Sequence, residues 1–247
     1  MTMQAHKPLT RRLAAADALS DPDMDVLNAL HDGAETRPPN DRLVEAHQHA
    51  PAFLLVEGWA YTFKVLRDGR RQILKVLIPG DVSNPAGLFG EPSRTAVRTL
   101  TPASCVALGP EAMDRVAAHD SGLAQRLAWR LGTERVDPQH VVSLGRRNAY
   151  ERIAHFLVDT WDRLASVGMT NGTHYRLPVK QEHIADFLGL SVVHVSRTLT
   201  QLRDKGFARV ERGTAKLDDI PGLMAAGDVR PVNPLPAAAE PVSVSAA

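Results

Sequence analysis

Residues 177–217 read LPVKQEHIADFLGLSVVHVSRTLTQLRDKGFARVERGTAKL, and two short helical faces inside this stretch decide the fold of its half of the chain. Ile184, Ala185 and Leu188 recur at the spacing of one buried helical face, which predicts a helix over 181–188, and Gly189 supplies the turn that ends it. Ser191 is a good N-cap, and Val192, Val195, Leu199 and Leu202 form the next apolar face. Lys205-Gly206 closes that second helix, predicted over 192–205, with a cation and a permissive glycine. Two helices joined by so tight a turn form a helix-turn-helix. Residues 207–211 and 214–217 can pair as a small hairpin across Arg212-Gly213, which adds a wing.

A helix laid in the major groove presents the residues near its N-terminus to base edges, so Val193, His194, Ser196, Arg197 and Thr200 are the predicted readers. Arg197 can donate two hydrogen bonds to O6 and N7 of guanine, a pairing that discriminates against a wrong base by about 1–3 kcal/mol. Lys180, Gln181, Ser191, Arg203, Lys205 and Arg212 surround the same module and are the predicted phosphate contacts, with Arg209 beside them. Such contacts fix the register of a protein on a duplex without carrying sequence information. The partner that this pattern implies is double-stranded DNA.

The segment IADFLGLSVVHVSRTLTQLRDKG resembles the C-terminal DNA-binding domain of the Crp/Fnr family of bacterial transcription regulators. The resemblance implies a recognition helix carrying Glu-x-x-Ser-Arg. Ser196 and Arg197 match that pattern, while Val193 stands at the glutamate position. A valine accepts no hydrogen bond from cytosine N4 but packs on a thymine methyl. The departure therefore predicts an operator that differs from the family's commonest half-sites at the base pair facing Val193.

The chain has 247 residues, a net charge of +1 and one cysteine, Cys105. That length accommodates two domains with a core each. A nearly neutral chain that binds DNA must do so through a local basic surface. One cysteine makes neither an internal disulfide nor a four-cysteine iron–sulfur site, which excludes the oxygen-labile cluster used by some members of the family. No apolar run approaches the roughly 20 residues that span a bilayer, and the N-terminus has no signal-peptide pattern, so the default location is the cytoplasm. The spacings of a G-x-S-x-G elbow, a P-loop or a metal site are absent, which argues against an enzyme.

Residues 1–20 are polar and alanine-rich and read as a flexible arm; Met24, Leu27 and Leu30 predict a short helix from residue 21. Residues 33–40, with Pro38-Pro39, read as a loop, and 41–48 carry no clear pattern. Strands begin at Ala52: one run over 52–56, a turn or bulge at Gly58, a second run over 60–66, a hairpin turn at Arg67-Asp68-Gly69 and a return over 72–78. Two more are predicted over 95–100 and 104–108. Short strands at this spacing read as an antiparallel β-roll or barrel.

LLVEGWAYTFKVLRDGRRQILKVLIPGDV and GLFGEPSRTAVRTLTP resemble the same family's cyclic-nucleotide-binding-type roll. The whole resemblance implies an α+β chain: an N-terminal antiparallel β-roll over 21–120, a long dimerisation helix with a hinge over 121–147, and a C-terminal winged helix-turn-helix over 148–220. In members that bind cyclic AMP, a glutamate holds the ribose hydroxyl while an arginine and a small hydroxyl residue hold the phosphate. Arg94 and Thr95 match the last two and mark a candidate effector pocket. Val82-Ser83-Asn84-Pro85-Ala86 lacks the glutamate, which removes a charge-assisted hydrogen bond of about 1.5–3 kcal/mol. Cyclic AMP is therefore not the expected effector, and no cofactor is expected.

His31, His47 and His49 are the candidate metal or haem ligands, since a strand would put His47 and His49 on one face. No third ligand stands at a defined spacing, so they read as surface histidines with no metal. Cys105 lies in an apolar strand-like context and reads as a buried small hydrophobe.

Beyond Pro110 the pattern is helical. Leu123, Leu127 and Leu131 recur every four residues, and the resemblance makes this stripe the two-fold dimer seam. Packing against the chain's own roll is the alternative use, and one helix has faces for both. Pro138 predicts a break near residues 136–137. Arg146, Arg147 and Asn148 lie near the hinge, a strongly amphipathic helix follows over 150–164, and residues 221–247, rich in proline and alanine, read as a disordered tail. A homodimer on a palindromic operator follows, since two recognition helices must enter major grooves about 34 Å apart. RNA polymerase is a further partner if the chain activates.

Overall fold

The computed structural model describes residues 7–14, 19–133 and 145–228. Eight strands build the first half: β1 (Glu35–Arg37), β2 (Arg42–Val44), β3 (Ala52–Glu57), β4 (Ala60–Val65), β5 (Arg71–Leu77), β6 (Val82–Ser83), β7 (Ala96–Thr99) and β8 (Ala103–Leu108). They form two four-stranded antiparallel sheets, ordered β1-β8-β3-β6 and β2-β7-β4-β5. This is the predicted roll. The chain turns from β3 into β4 at Gly58, where φ is +84° and an added Cβ would lie 2.4 Å from the Pro102 carbonyl oxygen. Only glycine fits, because that obstacle is backbone and cannot swing away.

The second half opens with α5 (Ala149–Ser166), capped by Asn148, whose side chain accepts from the Tyr150 and Glu151 amides while Glu151 reaches back to the Asn148 amide. It packs with α6 (Gln181–Leu188), α7 (Val192–Asp204) and a sheet of β9 (Thr170–Asn171), β10 (His174–Arg176), β11 (Ala208–Glu211) and β12 (Thr214–Leu217), ordered β11-β12-β10-β9. β11 and β12 form the predicted wing in the predicted register, Glu211 opposite Thr214.

The structure corrects three expectations. The arm over 1–20 contains α1 (Pro8–Ala14), whose Leu9 and Leu13 are buried against Leu27 and Leu30; two apolar residues four apart are enough once α2 (Asp21–Ala29) offers a surface. The loop over 33–40 holds β1, and the patternless 41–48 holds β2, each only three residues long and so too short to show alternation. The tail does not begin at residue 221, because α8 (Ile220–Gly227) follows the wing directly. Asp219 caps it by accepting from the Gly222 amide at 2.9 Å, Pro221 sits in its first turn, and Ile220 and Leu223 are buried against α5. Averaging composition over a proline- and alanine-rich terminus hides eight such residues. Residues 229–247 lie outside the described residues.

The leucine stripe shows the alternative of the two uses read for it. α3 (Pro110–His119) leads into α4 (Ser121–Thr133), and Leu123, Leu127 and Leu131 are all buried within the chain, in one cluster with Leu54, Val82, Leu88 and Val106 of the roll. The stripe predicted as the dimer seam is used to seat α4 on its own roll. The expected break at Pro138 falls outside the described residues.

α8 closes the winged domain, and its attachment is measurable. Leu223 is fully buried. Leu223→Ala is expected to cost about 2 kcal/mol, the low end for such a truncation because a helix near the chain end can settle into the gap. A chain of this size then melts about 4–8 °C lower. An unchanged melting midpoint would mean that α8 is only loosely attached.

Candidate DNA-binding surface and effector cavity

The recognition helix is set by three local features. Gly189 ends α6 in the left-handed region at φ 63°, the chain turns through Leu190, and Ser191 caps α7 by accepting from the His194 amide at 3.2 Å. Val195, Thr198 and Leu202 are buried, which leaves Val193, Ser196, Arg197 and Thr200 at i, i+3, i+4 and i+7 on one exposed face, with His194 exposed beside them. Thr200 turns its hydroxyl back to the Ser196 carbonyl at 3.1 Å. Arg197 makes no hydrogen bond or ion pair among the described residues. Val193 is 57% exposed, an apolar side chain offered to solvent in the middle of a polar face.

The predicted phosphate residues divide. Lys180 and Gln181 are exposed at the start of α6, with Lys180 3.8 Å from Glu182, and Ser191 keeps its hydroxyl proton free to donate. Arg212 stands at the wing tip with φ 49° and no partner among the described residues. Arg203 instead pairs with Asp204 at 2.9 Å, Lys205 lies over the Tyr150 ring at 4.6 Å, and Arg209 holds Asp218 at 2.9 Å. Behind this surface, Tyr175 donates to the Leu157 carbonyl at 2.9 Å and Trp161 to that of Gly172 at 3.0 Å, so the wing sheet is tied to α5. Burial pushes the Tyr175 phenol well above its ordinary range, which keeps it a donor.

The roll contains a cavity of about 250 Å³. Arg94, Thr95, Lys64, Lys75, Ser83 and Ser93 give it polar walls, and Leu131 closes it from α4. Arg94 is exposed and without a protein partner among the described residues, while Ser93 and Thr95 hydrogen-bond to each other. Arg94 and Thr95, the residues read as a candidate effector pocket, thus both line this cavity. No acidic residue is among its lining. Within the segment that lacks the glutamate, Asn84 adopts φ 47° and turns its amide to the carbonyls of Ala50 and Pro51, at 3.0 and 3.1 Å. The next turn presses so closely on the start of β3 that a Cβ on Gly87 would sit 2.3 Å from the Ala50 oxygen. The lining carries cations and hydroxyls with no carboxylate to hold a ribose, so it fits an anion with little else to hydrogen-bond.

The three histidines do not converge. His31 is buried rather than at the surface, with Nδ1 3.1 Å from the Leu27 carbonyl and Nε2 accepting from the Leu9 amide at 3.4 Å; burial pushes its pKa down, which keeps that acceptor neutral. His47 sits in a turn at φ 65° instead of a strand, and His49 bonds the Gly90 carbonyl at 2.9 Å. No group of three or more potential metal ligands occurs among the described residues. Cys105 is 2% exposed on β8, and burial pushes its thiol up to about 11, a buried hydrophobe as predicted.

Sequence reading missed the joint between roll and winged domain. Arg71 on β5 donates twice to Asp186 on α6, at 2.8 and 2.6 Å, and also to the Tyr61 hydroxyl at 2.9 Å. Gln72 donates to the carbonyls of Asp186 and Phe187 at 2.7 and 3.2 Å. A second joint centres on the buried carboxylate of Asp81, which receives Arg12 from α1, Arg163 from α5 at 2.6 Å and Lys75 from β5 at 3.5 Å. The only sequence signal here was the turn Pro79-Gly80-Asp81, which marks a strand end and says nothing of charge.

Two family models match the chain. A Crp-like helix-turn-helix domain matches residues 151–226, and a cyclic nucleotide-binding domain matches residues 35–120. The chain is 34% identical over 169 residues to the transcriptional activatory protein AadR of Rhodopseudomonas palustris, covering 67% of this chain and 69% of that protein. It is 33% identical over 156 residues to the nitrogen fixation regulation protein FixK of Azorhizobium caulinodans, spanning 62% of each. The solved structure of FixK2 from Bradyrhizobium japonicum superposes with a TM-score of 0.69 at 27% identity, covering 78% of this chain and 96% of that one. The matches to both domain models, with the share of AadR and FixK2 that the chain covers, show that the chain belongs to the Crp/Fnr family of transcription regulators.

Proposed function

We propose that the chain acts as a homodimer that binds a palindromic operator, with α7 in the major groove, and regulates transcription in the cytoplasm without catalysing a reaction. The observation that carries this reading is the exposed face of Val193, Ser196, Arg197 and Thr200 on a capped helix, with an Arg197 guanidinium that no group among the described residues occupies. Lys180, Gln181, Ser191 and Arg212 flank that face and hold phosphates. Because Leu123, Leu127 and Leu131 seat α4 on the roll, the two-fold seam uses the opposite face of the same helix. Relatives named as activators support RNA polymerase as a partner of the bound dimer. The cavity around Arg94 and Thr95 is where an effector would act, and it can bias the dimer only by the difference in its affinity for two states.

Selection of bound sequences from a random duplex pool tests this reading, first without ligand and then with cyclic AMP. A palindromic motif recovered without ligand is the expected result. No motif under either condition, with no salt-dependent association, would reject the reading. The same selection on Val193→Glu is expected to move the preference at the facing base pair from thymine contact towards cytosine, since a carboxylate accepts from N4. An unchanged preference at that position would mean that Val193 does not face a base.

A further inference from the structure

On the reading that this chain binds DNA, we infer that Arg176 is a phosphate-contacting residue, and that with Arg212 it extends the DNA surface from the helix-turn-helix onto the wing sheet. Neither composition nor motif singles Arg176 out; its place in the sheet does.

β10 alternates His174 exposed, Tyr175 buried and Arg176 exposed. The Tyr175 hydroxyl is fixed to α5 at Leu157, so Arg176 stands on the face of the sheet turned away from the helices. In register it lies opposite Thr214, the first residue after the wing turn, and the Leu177 amide donates to the Gly213 carbonyl at 2.8 Å. Arg176 is therefore beside the wing tip, where Arg212 projects from a left-handed turn. Four residues further on, Lys180 begins α6. Arg212, Arg176 and Lys180 thus follow one another from the wing tip to the start of the helix-turn-helix.

The neighbouring cations show why these matter. Arg209 and Lys216 occupy the adjacent row of the same sheet and both close on Asp218, at 2.9 and 2.7 Å, which spends their charge on the protein. Arg176 and Arg212 make no hydrogen bond or ion pair among the described residues. The nearest carboxylate in the row of Arg176 is Glu211, two strands away across Thr214, a separation of about 10 Å. An arginine left unpaired at the rim of a recognition surface suits a polyanion, and the regular polyanion that meets a wing is a duplex backbone.

The test is the salt dependence of binding by the full-length chain to the duplex recovered by selection and to a scrambled duplex. Each phosphate contact contributes about 0.9 to the slope of log K against log salt, so Arg176→Gln should lower the slope by about 1.8 for a dimer, and weaken both duplexes by at least about tenfold at 0.1 M salt. Arg176→Lys should keep the slope, because the charge remains. Arg209→Gln should leave it unchanged, because that charge is already paired. An Arg176→Gln slope equal to wild type overturns the inference. So does a loss restricted to the selected duplex, which would make Arg176 a base reader, and so does an equal loss in Arg176→Lys or a lowered melting midpoint, which would make its role structural. Wild-type protein that binds neither duplex removes the DNA-binding reading itself and this inference with it, a result distinct from all the others.

Discussion

Replacing Arg197 with alanine is expected to cut sharply the discrimination between operator and scrambled DNA while leaving salt-dependent binding to both. A bidentate guanidinium–guanine pair is worth about 1–3 kcal/mol per half-site, so two half-sites lose about 2–6 kcal/mol, or roughly thirty-fold to twenty-thousand-fold in specific affinity. The fold should not suffer, since Arg197 is exposed and tied to nothing else among the described residues. The readout is the ratio of dissociation constants for the two duplexes at one salt concentration, with the melting midpoint as control. A ratio that survives the substitution would place base recognition elsewhere on α7.

The second large effect belongs to Asp81, far from the DNA surface. Its side chain is completely buried, and burial alone would push its carboxyl up. The charges of Arg12, Lys75 and Arg163, with a hydrogen bond from the Ile78 amide, reverse that and hold it well below the ordinary 3.8. Removing one member of a buried charge cluster leaves the others uncompensated, at about 3–5 kcal/mol. Arg12, Lys75 and Arg163 keep 11–24% of their side-chain exposure and can rehydrate, so Asp81→Asn should sit near the lower figure, a midpoint about 6–12 °C lower at pH 7.

The pH dependence has a definite sign. A carboxyl whose folded pKa is depressed stabilises the fold fully above its unfolded pKa, near 3.9, and that contribution is lost as pH falls towards the folded value. The gap between wild type and Asp81→Asn should therefore be wide at pH 7 and narrower at pH 3, where unfolded wild-type chains gain a proton that the folded ones resist. Melting midpoints of both proteins at the two pH values decide it. A gap of equal size at pH 3 would mean that the loss is one of packing, not charge.

What could be read in advance follows the range of the forces involved. The helix-turn-helix was legible to within a residue, because apolar spacing such as Val195 and Leu202, a cap at Ser191 and a stop at Gly189 are all encoded within one or two turns of helix, although Val192, read into the same face, is 47% exposed. The strands over 52–78 were legible for the same reason. β1 and β2 were not, since three residues with mixed burial carry no period and are strands only because β8 and β7 lie alongside. α1 and α8 needed a partner surface before their few apolar residues meant anything. Leu123, Leu127 and Leu131 announced a buried face, but periodicity cannot say whether the burying surface is the same chain or another. Arg71, Asp81, Arg163 and Asp186 lie up to 115 residues apart in their pairings, and no local pattern joins them. At the effector cavity, the missing glutamate was visible in the sequence, whereas the turning of Asn84 towards Ala50 and Pro51 was not.

The grip of Arg71 on Asp186 sets terms for exchange of parts between relatives. A winged domain transplanted onto this roll meets a guanidinium already held in place by the Tyr61 hydroxyl, and must offer it an acid at the sixth residue of the helix that replaces α6, as Asp186 does in Gln181–Leu188. A graft without that acid leaves a half-buried cation without its carboxylate, and only the backbone bonds of Gln72 remain at this joint to set the tilt of its reading head. The joint works as a compatibility lock, through which the roll accepts only those DNA-reading modules that bring the matching key.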